Sequence, residues 1–255
     1  MYADDTVIYF SCNSISETEM KLSLDLANVS HWLKENKLFL NLKKTECLLF
    51  GTRQRLKVSG TAEDFSVTLD GTPIKFSTVF KYLCVILDNH FSFNEHINYV
   101  AAKVSQKLGI LWRVRPLLTT ESANRLYKSM ILPLLEYCDI TWHWCGHENQ
   151  KKIERWQGRA GRIVLKNSQQ LTSDAIIGRL GWKPLSERRE EHIKELVKNC
   201  LKGLVPDLFK GYFKIRRCDI HSNNTRFSKN LFIDKIKLEI SKRAFYHKGA
   251  VIFNS

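Results

Sequence analysis

The spacing of apolar residues changes character near Asp88, and that change divides the chain. Before it, short β-branched and aromatic runs alternate with polar residues and are broken by Asp, Gly and Pro; after it, apolar residues recur every three or four positions. A strand turns successive side chains to opposite faces, whereas a helix returns to one face every 3.6 residues. The chain is therefore expected to be α+β, with its strands confined to the first third. At 255 residues and 44% hydrophobic content it is long enough for a sizeable core and for more than one domain.

Charge follows the same division. Of 40 basic and 26 acidic residues, the first 93 positions hold 10 and 11, and the remaining 162 hold 30 and 15. The net +14 thus belongs to the later part and points to a polyanionic partner there, nucleic acid before an anionic membrane surface. No apolar run has the length of a membrane span and the N-terminus has no signal-type pattern, so an intracellular protein, nuclear or cytoplasmic, is expected. Seven scattered cysteines read as reduced core thiols, and Cys138, His143, Cys145 and His147 match no common zinc spacing.

In the first part, Ser16 and Glu19 form a capping box for a helix from about Glu17 to Asn36, with Met20, Leu24, Ala27 and Trp32 as the apolar stripe that packs against a sheet. A turn at Asn41, Lys44 and Thr45 leads into the short run Cys47–Phe50, and residues 52–64 read as a loop. Residues 65–76 read as a hairpin, with Asp70-Gly71 as a type I′ turn. Phe80–Asp88 reads as a further strand. At the N-terminus, Tyr2-Ala3-Asp4-Asp5 followed by Thr6-Val7-Ile8-Tyr9-Phe10 reads as the tip and second strand of a hairpin that aims two carboxylates at one point.

The later part reads as helices. One runs from Asn94, as its cap, to about Trp112, with Ile97, Ala101, Val104, Leu108 and Leu111 inward and Lys103 and Lys107 off that face. Another starts at Thr120 and is interrupted at Pro133. A third, from about Asn149 to Lys166, carries Ile153, Trp156, Ala160, Ile163 and Val164 on one side. On the other it carries Lys151, Arg155, Arg159, Arg162 and Lys166, a row of cations partly compensated by Glu154 and the best candidate for phosphate contact. Gly158 and Gly161 weaken this helix by roughly 1 kcal/mol each. A short helix ends at Leu180-Gly181-Trp182. A last one, capped by Ser186, buries Ile193, Leu196, Val197, Cys200 and Leu201, and the tail from Lys210 is basic and less regular.

Tyr2-Ala3-Asp4-Asp5 with its following run resembles the catalytic hairpin of reverse transcriptases, in particular those of non-LTR retrotransposons of the LINE and jockey type. Phe80-Lys81-Tyr82-Leu83-Cys84-Val85-Ile86-Leu87-Asp88 resembles the family's primer grip, with Cys84 where the family usually has Gly. Tyr137-Cys138 to Trp142 and Gln157 to Arg162 resemble strings of its thumb. The resemblance implies a partial reverse-transcriptase palm of antiparallel hairpins plus a helix over residues 1–90, a helical thumb over 91–166, and a helical and basic segment after the thumb over 167–255.

It further implies an RNA-directed DNA polymerase, a nucleotidyltransferase acting on an RNA template and DNA primer with a deoxynucleotide triphosphate. Asp4 and Asp5 would ligate Mg²⁺, in a pair of ions about 4 Å apart that clamps the attacking and leaving oxygens. Lys44 would approach the triphosphate, Tyr2, Lys81, Tyr82 and Leu83 would hold the primer end, and Lys103, Lys107 and the row from Lys151 to Lys166 would contact the RNA–DNA hybrid. In the family a further palm carboxylate and the fingers precede the Asp-Asp pair, so this chain is expected to be a fragment that is inactive alone. The alternative is a non-catalytic nucleic-acid-binding module or a decayed element product.

Overall fold

Residues 5–58, 65–166, 170–215, 228–236 and 239–255 are described by the computed structural model. Tyr2 and Asp4 lie outside them. The structure is α+β and divides into two units, Met1–Ser92 and Phe93–Ser255.

In the first unit, helix α1 (Ile15–Glu35) is capped by Ser14, whose hydroxyl accepts from the Glu17 backbone N–H. The cap is not the expected Ser16; both serines stand three residues before a glutamate, and the earlier one is used. The expected apolar stripe is inverted. Met20 and Leu24 are exposed by 69% and 57%, and Trp32 and Ala27 are exposed too, whereas Leu22, Leu26, Val29 and Leu33 are half-buried.

A hairpin explains the inversion. Strands β2 (Thr68–Leu69) and β3 (Thr72–Pro73) pair antiparallel around Asp70 and Gly71, both at positive φ as a type I′ turn requires. Phe65, Val67 and Leu69 alternate inward and are buried. The hairpin presents polar groups to α1: Ser66 N–H donates to Glu19 Oε1 (2.7 Å), and Asp70 Oδ2 accepts from Ser30 Oγ (3.0 Å) and Lys34 Nζ (2.6 Å). Glu19, Ser30 and Lys34 fall on one stripe at helical spacing, and the half-buried Leu22, Leu26 and Leu33 lie on the same side, so the hairpin takes the side of α1 opposite Met20, Leu24 and Trp32.

The other strands of this unit are short. β1 (Glu46–Cys47) pairs in parallel with β4 (Lys75–Phe76), less than the expected run to Phe50. Arg53–Val58, expected as loop, forms helix α2. The expected strand Phe80–Asp88 is a hairpin, β5 (Val79–Tyr82) against β6 (Val85–Asp88), turning on Leu83 and Cys84. Thr6–Phe10 forms no strand; Val7 and Tyr9 are exposed. Strand preference measures how well side chains pack on a half-buried sheet, and no strand among the described residues runs beside this segment.

In the second unit, α3 (Asn94–Val114) buries Ile97, Val100, Val104, Leu108 and Leu111, together with His96, which the expected stripe omits. Asn94 is not its cap; the Asn94 Oδ1 accepts from Asn149 Nδ2 at 2.6 Å, and Phe93 enters the helix at φ 59°. Thr119 caps α4 (Thr120–Leu126), which widens to a π turn over Tyr127–Ile131 and continues as α5 (Leu132–Glu136). Pro133 therefore does not end the helix. A proline lacks an N–H and crowds the carbonyl four residues back, and the wider turn accommodates both.

After α6 (Asp139–Trp142) come α7 (His147–Leu165), α8 (Ser173–Arg179) and α9 (Leu185–Leu201), with α7 packed against α3, α8 and α9. Leu201 is exposed rather than core; Leu185, Arg189, Ile193 and Val197 are buried. The tail holds α10 (Glu239–Lys242) and α11 (Phe245–Asn254), and Ala250 and Ile252 of α11 join Ile193, Val197 and Leu231 in one apolar cluster. Among the described residues no helix is long and apolar enough to cross a membrane.

Candidate nucleic-acid interface

Helix α7 displays the basic row. Lys151, Arg155, Arg159 and Arg162 follow one another at spacings of four, four and three, which keeps them on one helical edge. Lys151, Arg155 and Arg159 are exposed and Arg162 is half-buried, donating to Ser173 Oγ at 3.4 Å. Lys166 follows the last turn with φ 64°.

The expected compensation from Glu154 is absent because Glu154 points the other way. Its carboxylate accepts from the backbone N–H groups of Leu185 (3.2 Å) and Ser186 (2.8 Å) and from Arg189 Nη2 (3.1 Å). It thereby caps α9 in place of the Ser186 side chain. Glu148 does join the row, 3.2 Å from Lys151, whose hydrogen bond holds its carboxyl below the ordinary range. Among the described residues Arg155 and Arg159 have no carboxylate at ion-pair distance.

Three devices fix α7 in place. The buried guanidinium of Arg115 donates to the carbonyls of Ile163 (3.1 Å) and Val164 (2.7 Å), so a cation closes the C-terminal end of the helix where the backbone dipoles are negative. Gln157 Nε2 donates to the Lys183 carbonyl (2.9 Å). Gly158 and Gly161 let α8 approach closely: a Cβ on Gly161 would stand 2.3 Å from Ile176 Cγ2, and one on Gly158 2.6 Å from Ser173 Oγ. The helix-weakening glycines are thus packing residues. None of these partners is visible from local spacing, since each lies on another element.

Lys103 and Lys107 are placed differently. On α3 the residues turned to α7 beside the row are Ser105, Gly109 and Trp112; Lys103 and Lys107 lie about half a turn around the helix from them. Lys103 Nζ sits 4.5 Å from the centroid of the Tyr99 ring.

In the first unit, Asp5 is exposed and takes part in an isolated bridge. A carboxylate suits a hard cation such as Mg²⁺, but among the described residues no three possible ligands are gathered to hold a metal. Lys44 is exposed on a turn in which its N–H and that of Thr45 donate to the Asn41 carbonyl. Lys81 is exposed on β5, Tyr82 half-buried at its end, and Leu83 and Cys84 occupy the turn at φ 42° and 64°. Of the cysteine and histidine cluster, His143 and Cys145 are buried and Cys138 and His147 exposed, and burial pushes the Cys145 thiol up to about 11.

No protein-family model and no solved structure matches the chain significantly. Curated relatives do. A probable RNA-directed DNA polymerase from transposon BS of Drosophila melanogaster is 25% identical over 166 residues, 64% of this chain and 18% of its own length. The RNA-directed DNA polymerase from mobile element jockey of the same organism is 27% identical over 166 residues, 64% of this chain and 17% of its own length. A retrovirus-related Pol polyprotein from type-1 retrotransposable element R1 2 of Nasonia vitripennis is 26% identical over 146 residues, 56% of this chain and 35% of its own length. The chain spans less than a fifth of the first two relatives. Over more than half its length the chain is thus similar to parts of proteins from transposable elements, two of them RNA-directed DNA polymerases.

Proposed function

We propose that this chain works as part of an RNA-directed DNA polymerase, with residues 1–90 belonging to the palm, 91–166 to the thumb and 167–255 to the segment after it, and that the exposed edge of α7 tracks the backbone of an RNA template paired with a DNA primer. The observation that carries this is the row Lys151, Arg155, Arg159 and Arg162, two of whose guanidiniums have no carboxylate at ion-pair distance among the described residues while Glu154 is held by α9. Unneutralised cations along one edge repel one another, and phosphates that release counterions on binding offset that repulsion.

In the palm, Asp4 and Asp5 would hold Mg²⁺, which supplies charge neutralisation at the reacting phosphate when bound. Lys44 would face the triphosphate of the incoming nucleotide. Tyr2 and the β5–β6 turn, with Lys81, Tyr82 and Leu83, would position the primer end. The local support for the last of these is the hairpin itself, which holds Lys81 and Tyr82 next to a two-residue tip of Leu83 and Cys84.

The test is binding of an RNA–DNA hybrid to the full chain across a salt series. Arg155→Ala with Arg159→Ala is expected to weaken binding and to lower the slope of log affinity against log salt by about two, one for each phosphate contact removed. Asp5→Ala is expected to leave binding unchanged. A hybrid affinity that the double variant does not alter would overturn the assignment of α7.

A further inference from the structure

The same unit has a second feature at the margin of the basic row, a groove of about 440 Å³ between α3 and α7. Ser105 and Gly109 form its α3 side one turn apart, Trp112 and Trp156 contribute the large surfaces, and Arg159 and Arg162 stand at it from α7. Trp112 is 68% exposed. The Arg159 guanidinium lies 4.8 Å from the centroid of the Trp156 ring. Among the described residues no carboxylate lines the groove.

Gly109 sharpens the picture. Unlike Gly158 and Gly161, it has no packing reason to be glycine: a Cβ there would meet nothing within 4 Å. Its effect is to keep the α3 side of the groove open at the level of Trp112. An exposed tryptophan, a second one under a guanidinium and a free space between them make a surface for a flat, uncharged ring attached to negative charge. Aromatic side chains accept the π-face of any base, and arginine adds cation–π and phosphate contact.

We infer that this groove takes an unpaired base of a single-stranded nucleic acid, stacked on Trp112 or Trp156, with its phosphates on Arg159 and Arg162. The inference rests on the reading of α7 as a nucleic-acid edge and deepens it. Bases inside a duplex have both faces covered by their neighbours, so the groove discriminates in favour of single strands, which the basic row alone does not.

The experiment uses the full chain and three probes of equal length: a single-stranded oligonucleotide, the same strand made abasic at successive positions, and the matched duplex. Trp112→Ala and Gly109→Leu, the second filling the groove without removing a charge, are each expected to weaken the base-bearing strand about fivefold to tenfold. Both are expected to leave the abasic strand and the duplex within about twofold of the parent chain and to unfold cooperatively, Gly109→Leu at a somewhat higher temperature through its better helix propensity. If both variants bind the base-bearing strand as the parent does, or lose the abasic strand equally, the stacking site is overturned while the basic row stands. If the parent chain binds none of the probes in a salt-dependent way, the reading of α7 fails and the groove proposal with it. An acidic peptide that displaces the single strand more effectively than an unlabelled copy of that strand also overturns it.

Discussion

Glu154 and Arg189 form an ion pair at 3.1 Å in which the guanidinium is 1% exposed. The same carboxylate receives the first backbone N–H groups of α9, so one side chain of α7 neutralises a buried charge and caps the neighbouring helix. Arg188 and His192 on the same helix pair with Glu136 and Asp139, which leaves α9 tied by acids from three elements. Removing Glu154 strands a buried cation, a change that typically costs about 3–5 kcal/mol. Glu154→Ala is therefore expected to lower the denaturant midpoint severely, and Glu154→Gln, which keeps an acceptor for the cap, less so. Arg155→Ala, one position along, is expected within about 0.5 kcal/mol of the parent. Equal midpoints for the Glu154 and Arg155 variants would refute the assignment.

Two glycines on adjacent helices make opposite predictions. Gly161→Ala improves helix propensity, but its new methyl would stand 2.3 Å from Ile176 Cγ2, and overpacking of this sort costs about 1–3 kcal/mol. Gly109→Ala meets nothing and is expected to stabilise α3 by up to about 1 kcal/mol. Thermal unfolding of the two variants should therefore shift in opposite directions. A shift of both upward would mean that α8 does not press on α7 as described.

Much of this fold was legible because local chemistry decided it. Asp70-Gly71 announces a type I′ turn, and the stripe Ile97, Val104, Leu108 and Leu111 is read from a 3.6 period alone. What was not legible depends on partners distant in sequence. Met20 and Leu24 look like a buried stripe until the hairpin at Ser66–Asp70 takes the other side of α1, where Leu22, Leu26 and Leu33 lie. Glu154 looks like compensation for its neighbours until α9 arrives to use it. For the site, the basic row follows from spacing, whereas the groove beside it needs Gly109 and Trp112 to meet Trp156 across two helices about fifty positions apart. Arg115 carried no signal at all, since a guanidinium that closes a helix end lies 48 residues from its acceptor.

Cys84 at φ 64° occupies backbone space that glycine enters without penalty. Its side chain is exposed, so nothing packed is lost by deleting it. Relief of a left-handed non-glycine residue outweighs the added freedom of the unfolded chain, and Cys84→Gly is expected to raise stability by about 1 kcal/mol. Amide exchange protection of Tyr82 and Val85, which flank the turn, should rise with it. A loss of protection there would show that the thiol makes a contribution the geometry does not explain.

His96 and His143 are buried at 1% and 7% exposure, and desolvation, aided for His143 by Arg189 and Lys248, pushes each imidazole down to about 4. A folded-state value below the ordinary 6.5 means that the unfolded chain takes up protons first on acidification. The stability these neutral rings contribute is complete above about pH 6.5 and is lost as pH falls toward 4, at up to about 1.4 kcal/mol per pH unit for each ring. Asp139, pushed up chiefly by burial, titrates with the opposite sign, so the histidine effect is isolated by comparing His143→Gln with the parent chain. The urea midpoint of the parent is expected to be flat above about pH 6.5 and to fall below it, and the fall is expected to be shallower in the variant. Parallel curves for the two proteins would show that His143 is protonated as readily in the folded chain as in the unfolded one.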